Sequence, residues 1–294
     1  MLQTAIQTAV QAEIQSVSTV NHHQLSATFY SPDGEMKGAI LIVPAMGVTQ
    51  RYYASFATWL ATQGYMVATF DYYGIGLSQS GHLRDTSVTI TEWAQIDCAA
   101  MVGVVSNRAA GKPLYWIGHS LGGQILGLVP NHKHITKAVT IACGSGYWPE
   151  NVPSLKWKAW WLWFIVAPLA TRLFGYFPGK RLRKVGDLPK GVMNQWRRWC
   201  LHPEYLVGVE GESIREKYSA VKLPITSLSF TDDELMSERN INSIHGFYTA
   251  SQKTMSRLTP EDVGVKHIGH FGFFKDKFEK SLWENYLLVE LQEI

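Results

Sequence analysis

The chain is poor in cysteine: 294 residues hold only Cys98, Cys143 and Cys200. The number is odd and no two form a C-x-x-C pair, which excludes a disulfide scaffold, a thiol redox unit and a cysteine metal site. A reducing cytoplasm is the compartment that suits such a chain. Charge is scarce as well. Charged residues make up 17% against 46% hydrophobic ones, the reverse of a disordered composition. Long apolar runs are missing too. The longest, Ala159–Ala170, is soon interrupted by Arg172 and falls short of the roughly 20 residues that a spanning helix needs. The opening MLQTAIQTAVQAEIQS has neither the basic region nor the continuous apolar core of a secretory signal, so neither export nor a membrane crossing is expected.

What charge there is lies unevenly. Residues 151–200 carry ten Lys and Arg against the single acid Asp187, within a chain whose net charge is only +3. A basic segment is therefore set into an acidic body. The same segment holds Trp157, Trp160, Trp161, Trp163, Trp196 and Trp199, six of the eleven tryptophans.

Hydrophobic patterning organises the rest. A short amphipathic helix is expected at the start. Ile14–Val20 and Leu25–Tyr30 read as a strand pair around Asn21-His22-His23. Ala39–Val43 is continuously apolar, as a parallel strand covered on both faces must be. A helix over Tyr53–Gln63, a strand over Met66–Phe70, a helix over Glu92–Arg108 and a strand over Leu114–Ile117 follow. This alternation predicts an α/β fold with a doubly wound, mostly parallel sheet. The helix continues over Gln124–Leu128, and Ala138–Ala142 is the next strand. The next good strand, Ile225–Phe230, comes only after residues 143–224, far more than one crossover requires. A helix over Asn240–Lys253, a short strand over Val263–His267 and a final helix over Ser281–Glu290 complete the pattern. The expected division is a core in two parts, 1–143 and 223–294, around an insertion at 144–222.

Gly118-His119-Ser120-Leu121-Gly122 stands between the Leu114–Ile117 strand and a helix, the context that a G-x-S-x-G nucleophile elbow requires. The turn holds serine in a strained conformation, and side chains two residues before and after it would strike the neighbouring strand and helix. A serine hydroxyl needs a base, and the base needs an orienting carboxylate. His270, in a loop past the last short strand, is the candidate base. His267 reads as a packed strand residue. Asp233, in Thr231-Asp232-Asp233-Glu234 at the carboxyl end of Ile225–Phe230, is the candidate acid, with Asp232 as the alternative or a loop cap and Glu234 as a solvated residue. Two backbone N–H groups should face the developing oxyanion. One is Leu121, at the helix start; the other is Met46, in the loop Pro44-Ala45-Met46-Gly47-Val48. His119 reads as a packing residue at the pocket border, and Trp148, Trp160 and Trp163 as pocket candidates. No carboxylate or cysteine stands at ligand spacing from His22-His23 or His132-Lys133-His134, so no metal is expected, and this chemistry needs no cofactor.

These motifs resemble those of the α/β-hydrolase superfamily, in its serine-hydrolase branch of monoacylglycerol-lipase-like and serine-aminopeptidase-like members, closest to uncharacterised bacterial hydrolases. Asp71-Tyr72-Tyr73-Gly74-Ile75-Gly76-Leu77-Ser78 is similar to the family's D-x-R-G-x-G-x-S segment with Tyr73 in place of Arg, and Pro44-Ala45 replaces its usual His-Gly. The resemblance implies the α/β-hydrolase fold, the second aspartate of the acid turn as catalytic, and a helical lid made by the insertion. Such a lid, apolar within and basic outside, would receive an acyl chain and touch anionic membrane peripherally, at the inner face.

The reading is a serine hydrolase acting on a small-molecule ester or thioester, with an acyl lipid as one such substrate. Acyl transfer with the same triad, amide or aminopeptide cleavage, and a non-catalytic binding protein on the same fold are the alternatives. A basic lid is a poor host for a substrate amine. Dehalogenase and epoxide-hydrolase relatives place aspartate where Ser120 stands. Nucleic-acid binding would also use basic and aromatic residues, but the catalytic pattern elsewhere explains the chain better, so no nucleic-acid partner is expected.

Overall fold

The computed structural model describes residues 10–182 and 185–292. The amphipathic helix expected at the start falls, for residues 1–9, outside them, as do Arg183 and Lys184 of the basic segment. Strands β1 (Gln11–Ser18), β2 (Gln24–Ser31), β3 (Gly38–Val43), β4 (Tyr65–Phe70), β5 (Leu114–His119) and β6 (Lys137–Ile141) precede the insertion, which holds the short pair β7 (Tyr176–Phe177) and β8 (Leu188–Pro189). Strands β9 (Ile225–Phe230) and β10 (Lys253–Leu258) follow it. Eight strands form one sheet in the order β1-β2-β4-β3-β5-β6-β9-β10. The β1–β2 and β2–β4 pairs are antiparallel; from β4 onward every pair is parallel.

The central strands are buried along their whole length because alternate side chains enter two different cores. In β3, Ala39, Leu41 and Val43 join one cluster with Met101, Val102 and Val105, while Ile40 and Ile42 join another with Phe56, Leu60 and Trp283. Helix α1 (Ala54–Thr62) thus covers one face, and α2 (Ile90–Glu92) and α3 (Ala99–Ala109), joined by a π-helical turn at Trp93–Cys98, cover the other. Thr89 and Glu92 close a capping box at the start of α2. Helix α4 (Leu121–Gln124) follows β5 directly.

The stretch between β6 and β9 carries α5 (Pro153–Trp161), α6 (Ala167–Phe174), α7 (Lys190–Leu201), α8 (Tyr205–Glu210) and α9 (Glu212–Ser219). Its second half packs on the core: the Tyr205 hydroxyl donates to Gln124 Oε1 at 2.9 Å, and Trp199 is fully buried. The run from α5 through the π-helical Leu162–Val166 to α6 is different. Trp157, Trp161, Phe164, Leu169 and Leu173 face solvent along it. The outer face expected to be only basic is therefore apolar as well.

The carboxyl-terminal third differs from the sequence reading at two places. Helix α10 (Glu238–His245) ends well before Lys253, and no strand forms at Val263–His267. The last strand is β10, parallel to β9 with Lys253 opposite Ile225. As an edge strand it is exposed or half-buried except at Leu258, so it lacks the apolar run that marks an interior strand. Val263 instead closes a single 3-10 turn, Glu261–Val263. The final helical segment is present as π-helical Glu279–Leu288 followed by α11 (Val289–Gln292).

Candidate active site

Ser120 sits at the tip between β5 and α4 with φ +50° and ψ −110°. A non-glycine residue seldom holds such a backbone, and the surroundings explain how it persists. The Ser120 N–H donates to the Ile141 carbonyl at the end of β6 (2.9 Å). A Cβ on Gly122 would lie 2.1 Å from the Val43 carbonyl oxygen of β3, and one on Gly118 would lie 2.6 Å from the backbone of Gly122 and Gly123. Only glycines allow helix, turn and strand to approach this closely.

His270 and Asp233 come together from elements far apart in sequence. The His270 Nδ1–H donates to Asp233 Oδ2 at 2.8 Å, and both side chains are almost wholly buried. The other Asp233 oxygen, Oδ1, accepts the N–H groups of Leu235 (2.8 Å) and Met236 (2.9 Å), which fixes the orientation of the carboxylate. Asp232 serves a different partner set. Its carboxylate accepts the N–H of Ile268 (2.8 Å) and of Gly269 (3.1 Å) and pairs with His267 Nδ1 (2.7 Å). His267 is thus an exposed loop residue held by Asp232, not the packed strand residue that its position suggested. Glu234, expected only to be solvated, accepts the His270 backbone N–H through Oε2 (2.9 Å). Three consecutive carboxylates therefore hold one loop: the first its approach, the second the imidazole, the third the histidine backbone. Among the described residues, no hydrogen bond joins the Ser120 hydroxyl to His270, whose Nδ1 is the nitrogen held by Asp233.

The loop after β3 is pinned by two tyrosines. The Ala45 N–H donates to Tyr53 Oη (3.0 Å), and the Tyr72 hydroxyl donates to the Pro44 carbonyl (3.1 Å). Among the described residues, the N–H groups of Met46 and Leu121 donate no hydrogen bond. They are the two donors that the sequence nominated, and both are free.

The remaining candidates lie further out. His119 is wholly buried behind the elbow and has a partner at each ring nitrogen, Tyr53 Oη at 2.9 Å and the His270 carbonyl at 3.1 Å. It packs beneath the elbow. Burial holds its pKa well below the ordinary histidine value, and the neighbouring His270 acts in the same direction. Trp148 and Trp160 meet Phe164, and buried Trp163 meets Trp196 edge-on with ring centres 4.9 Å apart. None of these ring contacts reaches Ser120 or His270. Sequence reasoning missed Tyr53 and Glu234. The first reads as an ordinary aromatic at a helix start, and the second acts on a backbone group brought close only by the fold.

Comparison with known proteins follows from this geometry. The sequence profile of the serine aminopeptidase S33 hydrolases matches residues 34–185. No curated protein matches the chain in sequence. Among solved structures, a soluble variant of monoglyceride lipase from Saccharomyces cerevisiae, bound to a substrate analog, is 17% identical with TM-score 0.66, over 94% of this chain and 92% of that one. A thermostable carboxyl esterase from Bacillus coagulans, bound to glycerol, is 15% identical with TM-score 0.59, over 92% and 94%. An α/β serine hydrolase without lid from Xanthomonas campestris is 12% identical with TM-score 0.54, over 93% of each chain.

Proposed function

The chain belongs to the serine aminopeptidase S33 family of α/β hydrolases, and from that premise we propose that it cleaves a carboxylic ester or thioester with an apolar acyl group, through an acyl-enzyme on Ser120. The observation that carries the reading is the buried His270–Asp233 hydrogen bond, reached at one sheet edge with a serine held at φ +50°. In this reading Ser120 Oγ attacks the carbonyl carbon while His270 Nε2 takes the hydroxyl proton. The Met46 and Leu121 N–H groups, free of other acceptors, hold the oxyanion, and each such donor is worth about 3–4 kcal/mol of transition-state stabilisation. Collapse expels the alcohol or thiol, which takes the proton from His270. Water then attacks the acyl-enzyme with His270 again as base. Asp233 keeps the Nδ1 proton in place and supports the imidazolium.

Three features support an ester over an amide. Residues 151–200 carry ten basic residues, which disfavours a substrate amine; the same stretch holds six of the eleven tryptophans, apolar surface suited to an acyl chain; and solved structures of the same fold include proteins described as a monoglyceride lipase and a carboxyl esterase. The insertion acts as the lid. The exposed apolar residues of the α5–α6 run, with Lys156, Lys158 and Arg172 and no acid between residues 153 and 174, support peripheral contact with an anionic membrane. Three unpaired, buried thiols support a reducing, cytoplasmic setting.

The test is burst kinetics with p-nitrophenyl esters from acetyl to palmitoyl, comparing the wild type with Ser120→Ala. A burst that needs Ser120 and grows with chain length is expected. A burst confined to short esters would remove the acyl-lipid part of the reading. No Ser120-dependent reaction with any ester would return the chain to the amide-cleaving or non-catalytic alternatives.

A further inference from the structure

We infer that Tyr53 and His119 form a strut that sets the oxyanion loop and the His270 loop together, making them positioning residues for the reaction. The inference rests on the reading of Ser120, His270 and Met46 given above. Every proton along the strut can be placed. The His270 carbonyl can only accept, so His119 Nε2, 3.1 Å away, carries the hydrogen. Burial keeps the His119 ring neutral, so Nδ1 offers a lone pair. Tyr53 Oη, 2.9 Å from that nitrogen, must therefore be the donor. The same oxygen accepts the Ala45 N–H at 3.0 Å, and burial pushes the tyrosine pKa up, keeping its proton in place.

The result is one directed chain: Ala45 N–H to Tyr53, Tyr53 O–H to His119, His119 Nε2–H to the His270 carbonyl. One end lies a single residue before Met46. The other is the backbone of the base itself, and the middle residue precedes Ser120. Three loops that meet only in the folded protein are thus tied through buried groups. Phe274 and Phe271 enclose the His119 ring at centre distances of 4.7 and 5.4 Å, so a lost partner would not be replaced by solvent. Packing alone would be served equally well by phenylalanine at position 53; the hydroxyl is what the strut needs.

Tyr53→Phe removes only that oxygen. The rate at which a fluorophosphonate labels Ser120, and kcat for a p-nitrophenyl ester, should each fall roughly tenfold or more with KM nearly unchanged, the pattern of a contact that acts in the transition state. His119→Phe should give a loss of the same order, and the double variant should be no worse than the worse single one, because both remove one unit. Nitrogen NMR of the histidine rings supplies a readout that needs no turnover. The wild type should show His119 protonated at Nε2 alone at neutral pH, and Tyr53→Phe should shift both that signature and the His270 Nδ1 proton resonance. Labelling at the wild-type rate with unmoved ring signals overturns the strut. If the wild type fails to label at all, the hydrolase reading fails instead, and the ring signals alone decide: shifted signals uphold the strut and unmoved ones end it.

Discussion

Aspartates 232 and 233 share a type and a turn but have different partners, and that difference makes the acid assignment testable. Asp233 touches the imidazole, whereas Asp232 touches the backbone that leads to it. Asp233→Asn leaves the shape intact but removes the anion that stabilises the imidazolium and holds the ring's tautomer, so kcat should fall by about three to four orders of magnitude. Asp232→Asn keeps an acceptor for only one of the Ile268 and Gly269 N–H groups, which use different carboxylate oxygens, but leaves the partner of the imidazole in place; it should lower kcat by about tenfold or less, with a lower melting temperature. Steady-state kinetics on both variants decides, and the reverse order would move the acid to Asp232. At this scale the sequence was legible wherever placement depends on a short motif: the strained turn at Ser120 by its glycines, and the meeting of His270 with Asp233 by chain order and strand ends. It was silent about Glu234 and Tyr53, whose partners are backbone groups of loops 36 and 8 residues away.

Interior elements were legible and edge elements were not, for one physical reason. A strand covered on both faces must be apolar throughout, so β3, β4, β5 and β9 announce themselves, while β10 has to satisfy only one neighbour and reads as polar. The π-helical turn at Trp93–Cys98 was equally invisible, yet it places Asp97 beneath the loop after β4, where the carboxylate accepts the Tyr73 N–H at 2.8 Å. Burial raises the Asp97 pKa to about 7, the Tyr73 hydrogen bond opposing and Glu92 adding to the rise. The sign follows from linkage. Between the ordinary aspartate value and about 7 the folded protein holds a proton that the unfolded chain has lost, so this residue's contribution to stability declines as pH rises through that window, by at most about 1.4 kcal/mol per pH unit. Asp97→Asn keeps an acceptor for Tyr73 and cannot ionise. Its melting temperature relative to wild type should therefore climb between pH 5 and pH 8, by about 2–4 °C for each kcal/mol recovered; a constant difference across that range would show that Asp97 does not titrate there.

The whole molecule has a chemical side and a wet apolar side that no single element explains. The sheet gathers Ser120, Asp233 and His270 at its carboxyl edge, the second half of the insertion is bolted to the core, and the α5–α6 run presents Trp157 and Trp161 outward, 67% and 44% exposed, beside Leu173 at 77%. No helix among the described residues is long and apolar enough to cross a membrane, and in the proposed function this surface meets a bilayer from outside. Its three cations, Lys156, Lys158 and Arg172, would each add about 1 kcal/mol of attraction to an anionic leaflet, and the aromatic rings would enter the head-group layer. Vesicles containing an anionic lipid should therefore bind the protein and blue-shift its tryptophan emission, neutral vesicles should bind it much less, and added salt should weaken the anionic case. Replacing Trp157 and Trp161 with serine should reduce vesicle binding by about tenfold or more while leaving turnover of a short soluble ester within about twofold, since the two rings pack on each other and on Trp160. Equal binding to neutral and anionic vesicles would remove the electrostatic half of the argument. Unchanged binding by the double variant would remove the apolar half and leave the exposed tryptophans to some other partner.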